Sequence, residues 1–475
     1  MQVKTASSVG RFSQSIAFLP RTIVKHPNAF VVLCFKAFLS MITPLSGDFL
    51  GITLWAVGGQ NYYNGSYIAW VAMSRLIYVF WLALPIAHPS VTAFLGIWFY
   101  NPVPSMVLLL FLLKLPMLIA DAVIGVLIYK IILSRRNSHE EAYRGFKAWF
   151  YNPLVVLLGV MFGSIDIVAS MLVLASVYCF ARNRILPSFL LLFVSIVLRT
   201  YPILLTPILL ILLWQREGTR RKLMIGLIAV TGFAVILIMF WLNMVTNGLF
   251  FLTITILQHD YLFFLSSLIY PASGTGGEPI ALTVVLLVLT MFLIYDRGAG
   301  KEARSGTFDN RFQVLDYVSL FLLVLLGFSY WNPQFLLWIL PFAAIDLGLR
   351  KSSKWLFSFF ILTAALVIII SFGFYLTSLG NSFFFIQNSN PLMAQLSQWI
   401  NTLSNDVNQT LISVVLRFPF IAVCTVYLLK GSKRLIFAEK DAISDPVRIR
   451  GGKHVERRPA LQKSVKGSVP RKVNH

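Results

Sequence analysis

Several places in this chain put charge where charge is expensive, and each has a chemistry to match. Asp166 stands inside roughly 34 residues of otherwise apolar chain, AWFYNPLVVLLGVMFGSIDIVASMLVLASVYCFA, bracketed on both sides by Lys and Arg. In a membrane an acid so placed is a functional-site candidate by default. Asp48, in Pro44-Leu45-Ser46-Gly47-Asp48-Phe49, follows the first apolar run. A carboxylate at the edge of an apolar slab can deprotonate a sugar hydroxyl as a general base. Its other reading is a solvated loop acid that caps a helix start.

Arg199, in Arg199-Thr200-Tyr201-Pro202, carries a planar fork suited to a phosphate monoanion or diester. Snorkelling, or a pair with Asp166 across a cavity, is the alternative. His259-Asp260 could orient a substrate, bind a divalent ion or decorate a loop, and a single His beside a single Asp is a weak metal signature. Lys114 and Asp121 lie seven residues apart, two turns along one helix face. That spacing is about 10 Å along the axis, too far for direct pairing unless the helix bends near Pro116. Polar glue between helices and substrate or phosphate positioning both stay open for this pair.

These residues need elements to hold them, and composition sets the class. Hydrophobic residues make up 57% of the chain and charged ones 12%, with a mean hydropathy of +0.77. Apolar runs above about 18 residues read as spans, so a soluble globule is excluded and an integral, multi-pass membrane protein is expected. The net charge of +22 sits in short loops between apolar runs and in the tail. Topology therefore explains it better than nucleic-acid binding, and no nucleic-acid partner is expected. Cys34, Cys179 and Cys424 all lie in apolar runs without ligand spacing, which implies neither a disulfide framework nor a zinc site. Residues 1–27 carry Lys4, Arg11, Arg21 and Lys25 and show no small-residue cleavage site, so the run after them is read as a retained first span.

The fold expected is all-α, a transmembrane bundle of about 12 spans with a short disordered tail. Spans are read at 28–45, 105–133, 222–246, 280–296, 355–377 and 411–430, with shorter paired helices at 148–181, 188–214 and 314–349. Region 67–102, interrupted by Pro85, His88, Pro89, Asn101 and Pro102, reads either as two spans or as a re-entrant hairpin. Connections 134–147, 182–187, 215–222, 297–313 and 350–354 are basic and go inside with both termini. The opposite connections, 46–66, 247–279 and 378–410, hold no Lys or Arg and go outside. Three polar turns should then meet on the outer face: Gly163–Asp166, Arg199–Pro202 and Ser329–Gln334, the last containing Asn332. Residues 431–475, rich in Lys, Arg, Pro, Ser and Gly, read as a disordered basic tail near anionic headgroups, leaving 28–430 as the membrane domain.

Short motifs carry a resemblance. Asn152-Pro153-Leu154 followed by Gly163-Ser164-Ile165-Asp166-Ile167-Val168-Ala169-Ser170-Met171-Leu172-Val173-Leu174 resembles the Asn-Pro-Leu and Asp-Ser-Ile-Val-Ala-Ser-Leu-Val-Leu stretches of the GT-C polytopic glycosyltransferases, within them the catalytic-subunit family of GPI mannosyltransferase I. Arg199-Thr200-Tyr201-Pro202 resembles that family's Lys-Ile-Tyr-Pro, and Asn332-Pro333-Gln334-Phe335-Leu336-Leu337-Trp338 its Ser-Gln-Tyr-Phe-Leu-Trp. The resemblance implies transfer of a sugar, mannose above all, from a polyprenyl (dolichyl) phosphate to a lipid-linked acceptor on the extracytoplasmic side of the plasma membrane or endoplasmic reticulum. It also implies that the acid of the first outer loop, here Asp48, is the catalytic group. The family carries Asp-x-Asp in that loop, whereas Asp48 stands alone, so a divalent metal stays open and no cofactor is assigned.

On this reading Asp166, Arg199, Tyr201, Asn332, Gln334, Lys114, Asp121, His259 and Asp260 are substrate-binding candidates, and a small membrane subunit is an open partner. Two other functions compete with the enzyme. A non-catalytic subunit of a membrane glycolipid complex would share the architecture, and a transporter would share the broken helices and embedded acids.

Overall fold

The computed structural model describes residues 27–43, 68–88, 104–199, 201–214, 313–328, 333–350, 354–366 and 419–430, with short helical pieces at 228, 231–232 and 287–292. All regular structure among the described residues is helical, without a strand. The chain divides into two units, 1–428 and 429–475, and all the described residues except 429 and 430 lie in the first.

In chain order the helices are α1 (Pro27–Ile42), α2 (Ile68–Leu82), α3 (Pro104–Arg136) and α4 (His139–Phe150). A broken helix α5 (Pro153–Met161) is followed by α6 (Asp166–Ala181), α7 (Ile185–Leu198) and α8 (Thr206–Trp214). Then come α9 (Gln313–Phe328), α10 (Leu336–Leu349), α11 (Lys354–Leu366) and α12 (Pro419–Lys430). Single 3-10 turns at Tyr201–Leu205 and Pro333–Phe335 lead into α8 and α10.

Among the described residues one helix is long and apolar enough to cross a membrane by itself, Val107–Arg136 of α3, and α5 with α6 would make a second if counted as one broken span. Its 30 residues extend roughly 45 Å, longer than the ~30 Å hydrocarbon layer. Pro116 lies inside α3 without ending it. The other described apolar helices, from Asn28–Met41 to Pro419–Lys430, are shorter than a full span. The expected span 222–246 falls almost entirely outside the described residues, 280–296 is described only at 287–292, and all of 367–418 lies outside. In region 67–102 a single helix, α2, is described, and the chain can be followed to His88.

α10 sits at the centre. Every one of its residues but Asp346 is buried, as expected of a helix apolar on all sides. It packs on α4, α3, α6 and α9. α6 and α7 form an antiparallel hairpin joined through Asn183, whose φ of 60° is the left-handed conformation that ends α6, with Arg184 N–H bonding back to Cys179 O at 2.9 Å. Small hydroxyls let these two helices approach: Ser176 Oγ lies 3.2 Å from Ser188 Oγ, and Ser195 Oγ donates to Ala169 O at 3.1 Å.

The basic connection 134–147 is for the most part helical, forming most of α4. Ser138 caps this helix by accepting from Glu141 N–H at 3.3 Å, Glu140 and Glu141 lie in its first turn and Lys147 in its last, all favourable to the helix dipole. Ala142, Gly145, Phe146, Trp149 and Phe150 form its buried stripe. Gly145 meets Gly348 of α10 backbone to backbone: a Cβ on Gly348 would stand 3.1 Å from Gly145 Cα, and Arg144 Nη2 donates to Gly348 O at 2.7 Å. The Ser-x-x-Glu box at 138–141 was the sequence signal for this helix.

The basic ends gather at one end of the bundle. Arg135 at the end of α3 pairs with Asp316 in the first turn of α9 at 3.4 Å, Arg350 after α10 pairs with Asp346 at 2.6 Å and with Asp316 at 3.9 Å, and Arg182 after α6 donates to Ser134 at 2.6 Å.

Candidate functional site

Three chain breaks meet at the other ends of α6, α7 and α10. The first begins where Asn152 caps α5, its Oδ1 accepting from Leu154 N–H at 2.9 Å, with Pro153 at the first helical position. α5 widens into a π turn at Val156–Met161, and the chain then turns through 115° into α6. Gly163 takes φ 64° at the tip, and Gly159 lets Ile167 pass at a separation a Cβ would reduce to 2.7 Å. The second break is extended Arg199, at φ −150°, after α7. The third is the Pro333–Phe335 turn that starts α10.

Asp166 is fully buried at their meeting point. Its Oδ1 accepts from Arg199 Nε at 2.9 Å and from Trp338 Nε1 at 2.9 Å. Its Oδ2 accepts from Arg199 Nη2 at 3.0 Å and from Ser164 Oγ at 2.8 Å. A carboxylate has about four acceptor positions, and here each oxygen holds two donors. Both oxygens of Asp166 are thus fully engaged within the protein. Gln334 Oε1 lies 3.2 Å from Ser164 Oγ and 3.5 Å from Arg199 Nη2, which ties the third break to the first two.

Below the carboxylate, Ser170 Oγ donates to Asp166 O at 2.7 Å, which leaves Tyr201 Oη to donate to Ser170 Oγ at 3.3 Å. The Tyr201 ring stacks on Trp338 at 3.7 Å between centroids, and Phe335 lies against Trp338 at 4.0 Å. The stack fixes the indole so that its N–H aims at Asp166, and the second guanidinium edge of Arg199 faces away from the carboxylate.

Asp166, Arg199, Tyr201 and Gln334 are therefore brought into one cluster. Lys114 and Asp121 are not paired with each other. Asp121 forms a fully buried ion pair with Lys36 of α1, whose ammonium also lies 4.1 Å from the Phe150 ring centroid. Lys114 donates to Thr43 O at 2.6 Å, Thr43 Oγ1 at 2.9 Å and Met161 O at 2.7 Å. α3 runs on through Pro116, so the two side chains keep their two-turn separation and serve different neighbours. Asp48, Asn332, His259 and Asp260 lie outside the described residues.

The residues singled out from sequence omit Ser164, Trp338 and Lys36. Ser164 lies two residues before Asp166, and Trp338 lies one helical turn after Gln334 on the same face. Lys36, a cation within the first apolar run, falls under the rule that singled out Asp166. Among the described residues no group of three or more His, Cys, Asp or Glu could hold a metal ion. Neither a scan against protein-family models nor a search of curated proteins finds a match to this chain.

Proposed function

We propose that the chain is a multi-pass membrane glycosyltransferase that moves a sugar, mannose above all, from a polyprenyl (dolichyl) phosphate to a lipid-linked acceptor on the extracytoplasmic face of its membrane. The observation that carries this reading is the convergence of three helix breaks on the buried Asp166–Arg199–Gln334 cluster, at the helix ends away from the Arg135–Asp316–Arg350 network. Lys and Arg mark the cytoplasmic side, so the cluster falls on the other face. Irregular backbone at membrane depth is tolerated where it is buried or lines a cavity. Exposed apolar stripes on α1 (Phe30, Val31, Phe35, Phe38) and α7 (Leu186, Leu190, Val194) support lipid contact and the larger bundle of about 12 spans.

Asp166 holds Arg199 by Nε and Nη2, and the guanidinium fixed in this way is the cation that would stand beside the donor phosphate. Gln334 and Phe335, half-buried at the edge of the cluster, would line the path of a sugar or isoprenoid, and Tyr201 supports them through its stack on Trp338. Asn332, His259 and Asp260 are assigned to the same substrate path. The catalytic group is Asp48: it takes the proton of the acceptor hydroxyl as that oxygen bonds to the sugar carbon and the bond to the phosphate oxygen breaks, with inversion and no covalent enzyme intermediate. Fixed cations near the departing phosphate stabilise the charge it gains.

The test is incubation of purified protein with labelled polyprenyl-phosphate mannose and candidate lipid acceptors, comparing wild type with Asp48→Asn. Transfer by wild type and its loss in the variant are expected, and no transfer from any donor would sink the reading. One observation favours a second reading, a non-catalytic subunit of a glycolipid complex: both oxygens of Asp166 are filled from within the protein. Unaltered cellular glycolipids after Asp48→Ala in a normally folded protein would decide for that alternative.

A further inference from the structure

Lys114 has no exposed surface and reaches two chain ends at once. Thr43, one residue past the end of α1, gives it a carbonyl and a hydroxyl, and Met161, the last residue of the π turn in α5, gives it a second carbonyl. Carbonyls at helix ends are left without intrahelical partners, and their dipoles are negative, so a cation is well suited to tie two of them together. The positions joined have a feature in common: Thr43 stands five residues ahead of Asp48, and Met161 five ahead of Asp166. Five residues of chain span at most about 18 Å.

We propose that Lys114 is a positioning residue, a clamp that sets the end of α1 against the tip carrying Ser164 and Asp166. It acts through Thr43 and Met161 and does not touch substrate. Where catalysis is concerned the inference rests on the glycosyltransferase reading, but the clamp itself does not. The neighbouring Lys36–Asp121 pair joins α1 to α3 about two turns further along α3 and offers nothing to α5 through its ammonium, so it does not duplicate the clamp.

The experiment uses the full chain with Cys34, Cys179 and Cys424 replaced by Ala and spin labels at Met41→Cys, near the end of α1, and Val194→Cys, on the exposed face of α7. Lys114→Met should broaden or shift the label-to-label distance distribution, and Lys114→Arg should keep it narrow. In the transfer assay Lys114→Met should lower kcat on the order of 10²-fold with KM little changed, because misplacing reacting groups by about 1 Å costs that much. Lys114→Arg should recover most of that loss. An unchanged distance distribution in Lys114→Met overturns the clamp whatever the activity, and a raised KM at constant kcat overturns it in favour of direct substrate contact. Should Lys114→Met fail to fold, Lys114→Gln keeps an amide donor and is read in the same way. Failure of the wild type to transfer sugar sinks the glycosyltransferase reading alone, since the spin labels still decide the clamp.

Discussion

Arg199 grips Asp166 by two parallel bonds, Nε to Oδ1 at 2.9 Å and Nη2 to Oδ2 at 3.0 Å, with the acid fully buried and the guanidinium side chain 10% exposed. This geometry joins the end of α7 to the start of α6 and makes each charge the other's compensation. The pairing that the sequence offered as an alternative for Arg199 is the arrangement the structure adopts. A phosphate role for Arg199 must use the donors that Asp166 leaves over.

Breaking that pair from one side should be costly. Arg199→Ala strands a buried carboxylate and is expected to destabilise the protein by about 3–5 kcal/mol. Arg199→Lys keeps the charge but cannot span both oxygens, so an intermediate loss is expected. Thermal unfolding in detergent, followed by fluorescence, would rank the variants, and equal melting temperatures for all three proteins would contradict the bidentate geometry.

Trp338→Phe isolates one donor. The ring still stacks between Tyr201 and Phe335, but Asp166 Oδ1 loses its indole N–H. The expected cost is about 1–3 kcal/mol, the range for leaving a buried acceptor short of a partner. A loss below the error of a chemical denaturation measurement would show that the indole bond contributes nothing.

The Lys36–Asp121 pair should behave non-additively. Lys36→Met alone leaves Asp121 buried without its cation and should cost about 3–5 kcal/mol, whereas Lys36→Met with Asp121→Leu removes both charges and should recover much of that stability. A double variant as unstable as the sum of the two singles would count against direct pairing.

Gly348 admits α4 against α10, since a Cβ there would approach Gly145 Cα to 3.1 Å and Glu141 O to 3.2 Å. Gly348→Val should therefore push α4 away, at a cost of about 1–3 kcal/mol for overpacking. Limited proteolysis between α3 and α4 should quicken in the variant, and an unchanged cleavage rate would argue that the helices tolerate separation.

By contrast, the Arg135–Asp316–Arg350 network is only partly buried, its side chains 19–31% exposed, and its separations are 3.4 and 3.9 Å. Arg135→Gln is expected to cost no more than about 1 kcal/mol, and less at high salt. A loss as large as that of Arg199→Ala would mean that this end of the bundle is drier than its side-chain exposure suggests.

The sequence by itself determined the helical class, because long apolar runs without strand alternation leave few other ways to satisfy the backbone. It also located the breaks: those at Gly163, at Arg199 and at Pro333–Phe335 could be placed at corresponding ends of their hairpins from the spacing of Lys and Arg alone. Charge patterns are local and periodic, so they survive in one dimension.

Which charges pair is a different kind of fact. Lys114 and Asp121 share one face of one helix, yet their partners come from Thr43, Met161 and Lys36, on chain segments far away in sequence. Arg199 could have faced a phosphate or an acid, and only the packing of α6 against α7 and α10 put Asp166 within reach of both its nitrogens. A side chain's type fixes what it can bond, but the bond it makes depends on which helices cross beside it and at what distance, and that was decided by the tertiary structure.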